Sequence, residues 1–138
     1  IDKSSDAIEL AEENSRSHSL NNIKFENLDW NERKLVGMFD VIVSNPPYLS
    51  ENDWETSEPE VKQFDPKEAL VSGGQGVNDL IKIIKESSQH LNKGGLLALE
   101  IGLGQKRVLE KEIVKFFYGI EIVKDFLGRE RFIFAKKI

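Results

Sequence analysis

Six residues, Phe39-Asp40-Val41-Ile42-Val43-Ser44, are rich in β-branched and apolar side chains and run directly into Asn45-Pro46-Pro47-Tyr48. Such a run suits a strand buried in a parallel sheet. Two consecutive prolines fix φ and remove two backbone N–H donors, so the ladder has to stop where they begin. Open parallel sheets bind ligands beyond the carboxyl ends of their strands. The tetrapeptide therefore stands where a ligand is expected.

The rest of the chain alternates helix and strand patterns. Residues 4–18 read as a helix capped by Ser4 or Ser5, with Ala7, Leu10, Ala11 and Asn14 at helical spacing. Residues 23–26 alternate like a short strand, and 49–76 form a long polar stretch of the kind that carries function or moves. Val77, Leu80, Ile81, Ile84, Ser88 and Leu91 lie on one helical stripe, which Lys93-Gly94-Gly95 is expected to end. Residues 96–101 read as a second buried strand, and 105–117 as a helix with Gly119 at its C′ position. Strands over 120–126 and 131–137 complete a mainly parallel α/β sheet with a final antiparallel pair, in one domain over 1–138.

Composition narrows the chemistry. The 138 residues carry 19 Lys and Arg against 24 Asp and Glu, a formal charge of −5, which argues against a surface built to grip phosphate backbones. There is no cysteine, which excludes disulfides, thiol catalysis and thiolate-ligated metals, and two histidines are too few to suggest a zinc centre. No apolar run approaches the ~20 residues of a membrane helix. A cytoplasmic protein is expected.

Asn45 offers an amide oxygen, the Pro46 carbonyl has no competing N–H beside it, and Tyr48 offers an aromatic face. Two acceptors and a flat surface suit a planar NH2 group. The nitrogen of an amide is a poor nucleophile because its lone pair is delocalised, a resonance reflected in a rotation barrier of ~18–20 kcal/mol. Acceptors that draw both N–H groups out of plane free that lone pair and stabilise the positive charge as it forms. The competing reading is a plain turn at the end of a strand.

Asn45-Pro46-Pro47-Tyr48 after an Asp-containing strand resembles the signature of S-adenosylmethionine-dependent amino-group N-methyltransferases. Several other segments resemble one branch, the HemK/PrmC-type glutamine methyltransferases that act on peptide chain release factors. These are Asp65-Pro66-Lys67-Glu68-Ala69-Leu70, Gly73-Gly74-Gln75-Gly76, Leu99-Glu100-Ile101-Gly102 with Gln105, and Asp125-Phe126-Leu127-Gly128-Arg129-Glu130-Arg131. The resemblance implies a Rossmann-like methyltransferase fold, S-adenosylmethionine as cofactor and a release factor as partner, with no metal, membrane or nucleic acid required. It implies catalytic roles for Asn45, Pro46, Pro47 and Tyr48. It also implies that Asp2 binds the cofactor's ribose, that Asp29 and Trp30 border its adenine, and that Asn45 contacts cofactor and substrate together. By the same resemblance the chain is expected to be a partial catalytic domain lacking the first strand and the glycine-rich loop.

Two alternatives stay open. Glu100-Ile101-Gly102-Leu103-Gly104 could itself be a nucleotide loop, with Asp125 as the ribose carboxylate, as in permuted DNA or RNA (adenine N6) amino-group methyltransferases. The chain could also be a catalytically silent half-domain kept for interaction. Gly73-Gly74-Gln75 echoes the tripeptide of release factors themselves, but immediately before a helix it reads as a turn.

Overall fold

A computed structural model describes residues 1–29, 32 and 35–138, in two units, Ile1–Val36 and Gly37–Ile138.

In the first unit, Ser4 caps helix α1 (Ser5–Ser17): its hydroxyl accepts from the Ala7 amide at 3.2 Å, with Asp6 in the first turn and Arg16 in the last. These charges complement the helix dipole. The strand expected over 23–26 does not form. Pairing is limited to one parallel bridge between Asp2 and Asn27, in which the Leu28 N–H donates to the Asp2 carbonyl at 2.9 Å. On the Asp2 side the ladder stops where Ser4 turns the backbone into the cap of α1.

The second unit holds a four-stranded sheet in the order β1-β2-β4-β3: β1 (Phe39–Ser44), β2 (Leu91–Glu100), β3 (Phe117–Lys124) and β4 (Glu130–Lys137). β1 pairs parallel with β2, and β4 runs antiparallel to both β2 and β3. Three strands therefore point one way, and β4, entering by a hairpin from β3, inserts against them. The sheet is mixed: of its three pairings only β1–β2 is parallel, because β4 enters between β2 and β3, and the final antiparallel pair that the sequence pattern implies is present.

Between β1 and β2 the expected long loop is instead four short helical segments: α2 (Glu51–Glu55), α3 (Pro59–Phe64), α4 (Lys67–Leu70) and α5 (Gly73–Gly76). Local signals start two of them: the Ser50 hydroxyl and the Asp53 carboxylate exchange bonds with each other's backbone N–H to cap α2, and Pro59 opens α3. By contrast, α4 and α5 have no side-chain cap, and α5 is interrupted by Gly74 and Gln75 at positive φ. Helix α6 (Asn78–His90) buries Leu80, Ile83, Ile84 and Ser87, a stripe rotated by one position from the expected one. It ends at His90, not at the glycines. Leu91 already starts β2, and Asn92-Lys93-Gly94-Gly95 form an irregular entry where the register against β1 slips. Helix α7 (Lys106–Ile113) is shorter than expected, and Gly119, at φ +58°, lies inside β3 where the pairing is irregular.

The core gathers Leu97 and Leu99 of β2, Ile133 and Ala135 of β4, Leu80 and Ile84 of α6, and Leu109 and Ile113 of α7. β2 is buried on both faces. β1, expected to be a buried strand, has only β2 beside it among the described residues, and Val41 and Val43 are 52% and 75% exposed.

Candidate active site at the end of strand β1

Ser44 pairs with Leu99, so β1 and β2 end side by side. The chain leaving β1 is Asn45-Pro46-Pro47-Tyr48, with Asn45 exposed, Pro46 buried and the next two half-buried. Together with Ala69 and Leu70 these four residues line a depression of about 80 Å³. All four expected catalytic residues thus meet at one place. Just beyond lies an open basin of about 490 Å³ between residues 50–53 and 72–75.

Tyr48 is held on every side. Its N–H donates to the Leu70 carbonyl at 3.1 Å, and the next amide, of Leu49, shares that acceptor at 2.9 Å. Its hydroxyl donates to Glu100 Oε1 at 3.0 Å, and the Arg131 guanidinium lies 5.6 Å from the ring centroid. Burial first, and then the Glu100 hydrogen bond, push the phenol above its ordinary value, so Tyr48 is a neutral donor at physiological pH. Arg131 also donates to the Ile101 carbonyl at 3.2 Å, which fixes the guanidinium beside the ring.

Residues whose role spacing did not reveal complete the support. Gln105, buried at the start of α7, accepts from the Gly102 amide at 2.8 Å and donates to the Tyr48 carbonyl at 2.7 Å and the Gly76 carbonyl at 3.2 Å. Gly76 has φ +83°, and a Cβ there would fall 2.2 Å from the Tyr48 carbonyl oxygen. The available signal was modest: a glutamine three residues after a glycine, in a segment otherwise read as a strand end.

The expected cofactor residues lie in the first unit. Asp2 sits at the bridge with Asn27, exposed, with Oδ1 accepting the Ser4 amide at 2.9 Å. Asp29 follows Leu28, whose amide is bonded to Asp2, so the two carboxylates leave the same short ladder. Trp30 lies outside the described residues. Among the described residues no group of three or more His, Asp or Glu side chains is placed to hold a metal, and no helix is long and apolar enough to cross a membrane.

Asp125 does not suit the alternative ribose role. Its Oδ1 accepts the amides of Leu127 and Arg129 at 2.9 and 3.0 Å, and its Oδ2 takes Arg129 Nε at 2.8 Å. The carboxylate is occupied in holding the β3–β4 hairpin.

Parallel strands, an antiparallel insertion beside the sheet edge and a proline-stopped strand end define a Rossmann-like α/β methyltransferase domain. Two solved structures share this fold. A methyltransferase from Pyrococcus furiosus matches with a TM-score of 0.63 at 23% identity, over 98% of this chain and 60% of that one. TrmN from Thermus thermophilus matches with a TM-score of 0.62 at 17% identity, over 99% of this chain and 35% of that one. At these identities the likeness concerns the fold alone.

The chain belongs to the methyltransferase-domain family, whose sequence model matches residues 1–113. Its resemblance to the glutamine-methylating branch holds along almost its whole length. Proteins named release factor glutamine methyltransferase from Fusobacterium nucleatum and Aquifex aeolicus are 40% and 36% identical to it, each over 99% of the chain. The protein of that name from Escherichia coli is 34% identical over 95% of the chain. The chain spans 39%, 48% and 47% of the lengths of these three relatives.

Proposed function

We propose that this chain serves the transfer of a methyl group from S-adenosylmethionine to the side-chain amide nitrogen of a glutamine in a peptide chain release factor. The observation that carries the reading is the strand end itself. Asn45 stands exposed beside two prolines that contribute carbonyls and no N–H groups, over a depression of about 80 Å³. The names of the curated relatives supply the substrate class.

Asn45 Oδ1 and the Pro46 carbonyl each accept one N–H of the glutamine amide. With both protons held, the nitrogen can pyramidalise and take its lone pair out of conjugation with the carbonyl, and the same acceptors stabilise the positive charge that develops. As the N–CH3 bond formed and the S–CH3 bond broke, sulfur would leave as a neutral thioether and one of the two held protons would pass to solvent, leaving a neutral N-methyl amide. Pro47 and Tyr48 wall the pocket, and the Tyr48 hydroxyl, committed to Glu100, does not compete for the amide. Bound S-adenosylmethionine would supply an electrophilic methyl group on sulfur. Asp2 fits its ribose diol, because one carboxylate oxygen is fixed by the Ser4 amide and the group is open to solvent. Asp29 and Trp30 would border its base.

The permuted nucleic-acid reading loses its key residue, since Asp125 is engaged within its own hairpin. The test is methylation with labelled cofactor of a release factor against DNA with free adenine amino groups, with the product mapped by mass spectrometry. One methyl on a release-factor glutamine is the expected result. Label on DNA alone would overturn the substrate, and label on neither would overturn the activity.

A further inference from the structure

The Gln105 carboxamide makes three hydrogen bonds, all to backbone groups of three separate segments. Its orientation follows from its partners. The Gly102 amide can only donate, so Oε1 faces it, and the carbonyls of Tyr48 and Gly76 can only accept, so Nε2 faces them. Two glycines make room for it. A Cβ on Gly102 would come within 2.8 Å of the Gln105 carboxamide, and one on Gly76 within 2.7 Å of Nε2. Buried polar side chains are costly unless satisfied, and here both donors and one acceptor position are engaged.

The peptide it grips matters most. Pro46 and Pro47 have no N–H, so the turn between Asn45 and Tyr48 cannot be anchored by its own amides in the middle. It is fixed at its ends: at Ser44 by the β1–β2 ladder, and at Tyr48. Gln105 holds the carbonyl of Tyr48, while Leu70 takes its amide. With φ of both prolines set by their rings, few torsions remain free in the turn, so the anchor at Tyr48 narrows the directions open to the Pro46 carbonyl.

We infer that Gln105 is a positioning residue for the methyl-transfer site: through the Tyr48 carbonyl it aims the Asn45 and Pro46 acceptors, without touching the substrate. The inference rests on the function proposed above for that turn. A methylation acceptor displaced by about 1 Å is enough to lower turnover by ~10²-fold, so the effect is expected in kcat and not in the affinity for the release factor.

Two variants and two measurements test it. Gln105→Met keeps the volume and removes all three bonds. Gln105→Glu keeps the acceptor for Gly102 but loses both donated bonds while ionised. Hydrogen–deuterium exchange on the 138-residue chain, read residue by residue, should show the Tyr48, Leu49 and Gly102 amides exchanging at least ~10-fold faster in Gln105→Met, with Leu97 to Leu99 unchanged. In the active enzyme both variants should lose ~10- to 10²-fold in kcat with KM for the release factor within about twofold. Gln105→Glu should recover part of that loss as pH falls, because a protonated carboxyl can again donate to the Tyr48 carbonyl. Uniformly faster exchange across β2 and β4, or a kcat within threefold of the parent in both variants, would overturn the inference and leave Gln105 a core-packing residue. The exchange pattern decides this even where no glutamine is methylated, an outcome that would instead remove the proposed function.

Discussion

β1 and β2 end at the same level, with Ser44 opposite Leu99, yet the turns that leave them are built in opposite ways. The turn after β1 leaves Asn45 exposed and contains two residues with no N–H. The turn after β2 directs its polar groups inward: Glu100 to the Tyr48 hydroxyl, and the Gly102 amide to Gln105, which in turn reaches Tyr48 and Gly76. One turn presents acceptors and its neighbour holds it still. A site that must keep acceptors unpaired and fixed cannot use those same groups for its own anchoring, and dividing the tasks between adjacent strand ends resolves that conflict.

The largest effect should come from breaking the presenting side. Asn45→Ala removes one of two acceptors whose value peaks as the amide nitrogen gains charge. A loss of ~10²–10³ in kcat is expected, about 2.7–4 kcal/mol, with a smaller change in cofactor binding, measured by steady-state methylation of a release factor. Asn45→Asp retains an acceptor but adds a charge, and its activity should fall between the alanine variant and the parent.

On the holding side, closing the space that Gly76 leaves should cost stability more than chemistry. Gly76→Ala puts a Cβ 2.2 Å from the Tyr48 carbonyl oxygen at φ +83°. About 3 kcal/mol of destabilisation is expected from left-handed strain and the forced displacement, read as a lower urea midpoint at unchanged slope. Tyr48→Phe sharpens the comparison from between the two turns. It keeps the ring and removes one hydrogen bond to Glu100, so about 1–2 kcal/mol of stability and roughly three- to tenfold in kcat should be lost.

The smallest effects concern pH. Backbone hydrogen bonding from Arg129 is the main cause holding the Asp125 carboxyl below its ordinary 3.8. Its contribution to the hairpin is therefore present above 3.8 and lost as pH falls through the lower folded value. Tyr48 shifts the other way: its contribution is present below 10.0 and lost as pH rises through the raised folded value. NMR titration should find acid opening confined to residues 125–129 and alkaline loosening confined to the Tyr48 turn.

Much of this was legible in the sequence, unevenly and for physical reasons. α1, β1 and α6 announce themselves through caps, β-branched runs and helical stripes, which are local signals. That β1 stops at Asn45-Pro46 was legible because proline's chemistry is carried in the residue itself. The short helices between 51 and 76 were not, since segments of 4 to 6 residues are too brief to show periodicity and depend on caps such as Ser50–Asp53. The start of β2 was hidden because Gly94-Gly95 resembles a helix stop but follows a strand that has already begun at Leu91. Gln105 could not be assigned a role from spacing, because its partners lie 57 and 29 residues away in the chain.

The open side of β1 has a practical consequence for handling the protein. Among the described residues that strand pairs with β2 alone, and its outer row of peptide groups is flanked by the uncovered side chains of Val41 and Val43. Within Gly37–Ile138 this strand margin, with its β-branched side chains, is a template for strand addition. Colloidal behaviour at high concentration should then be governed by this margin and opposed only weakly by the modest net charge of −5. A lysine in place of Val43 is the gatekeeper substitution that would raise the concentration at which the chain stays dispersed.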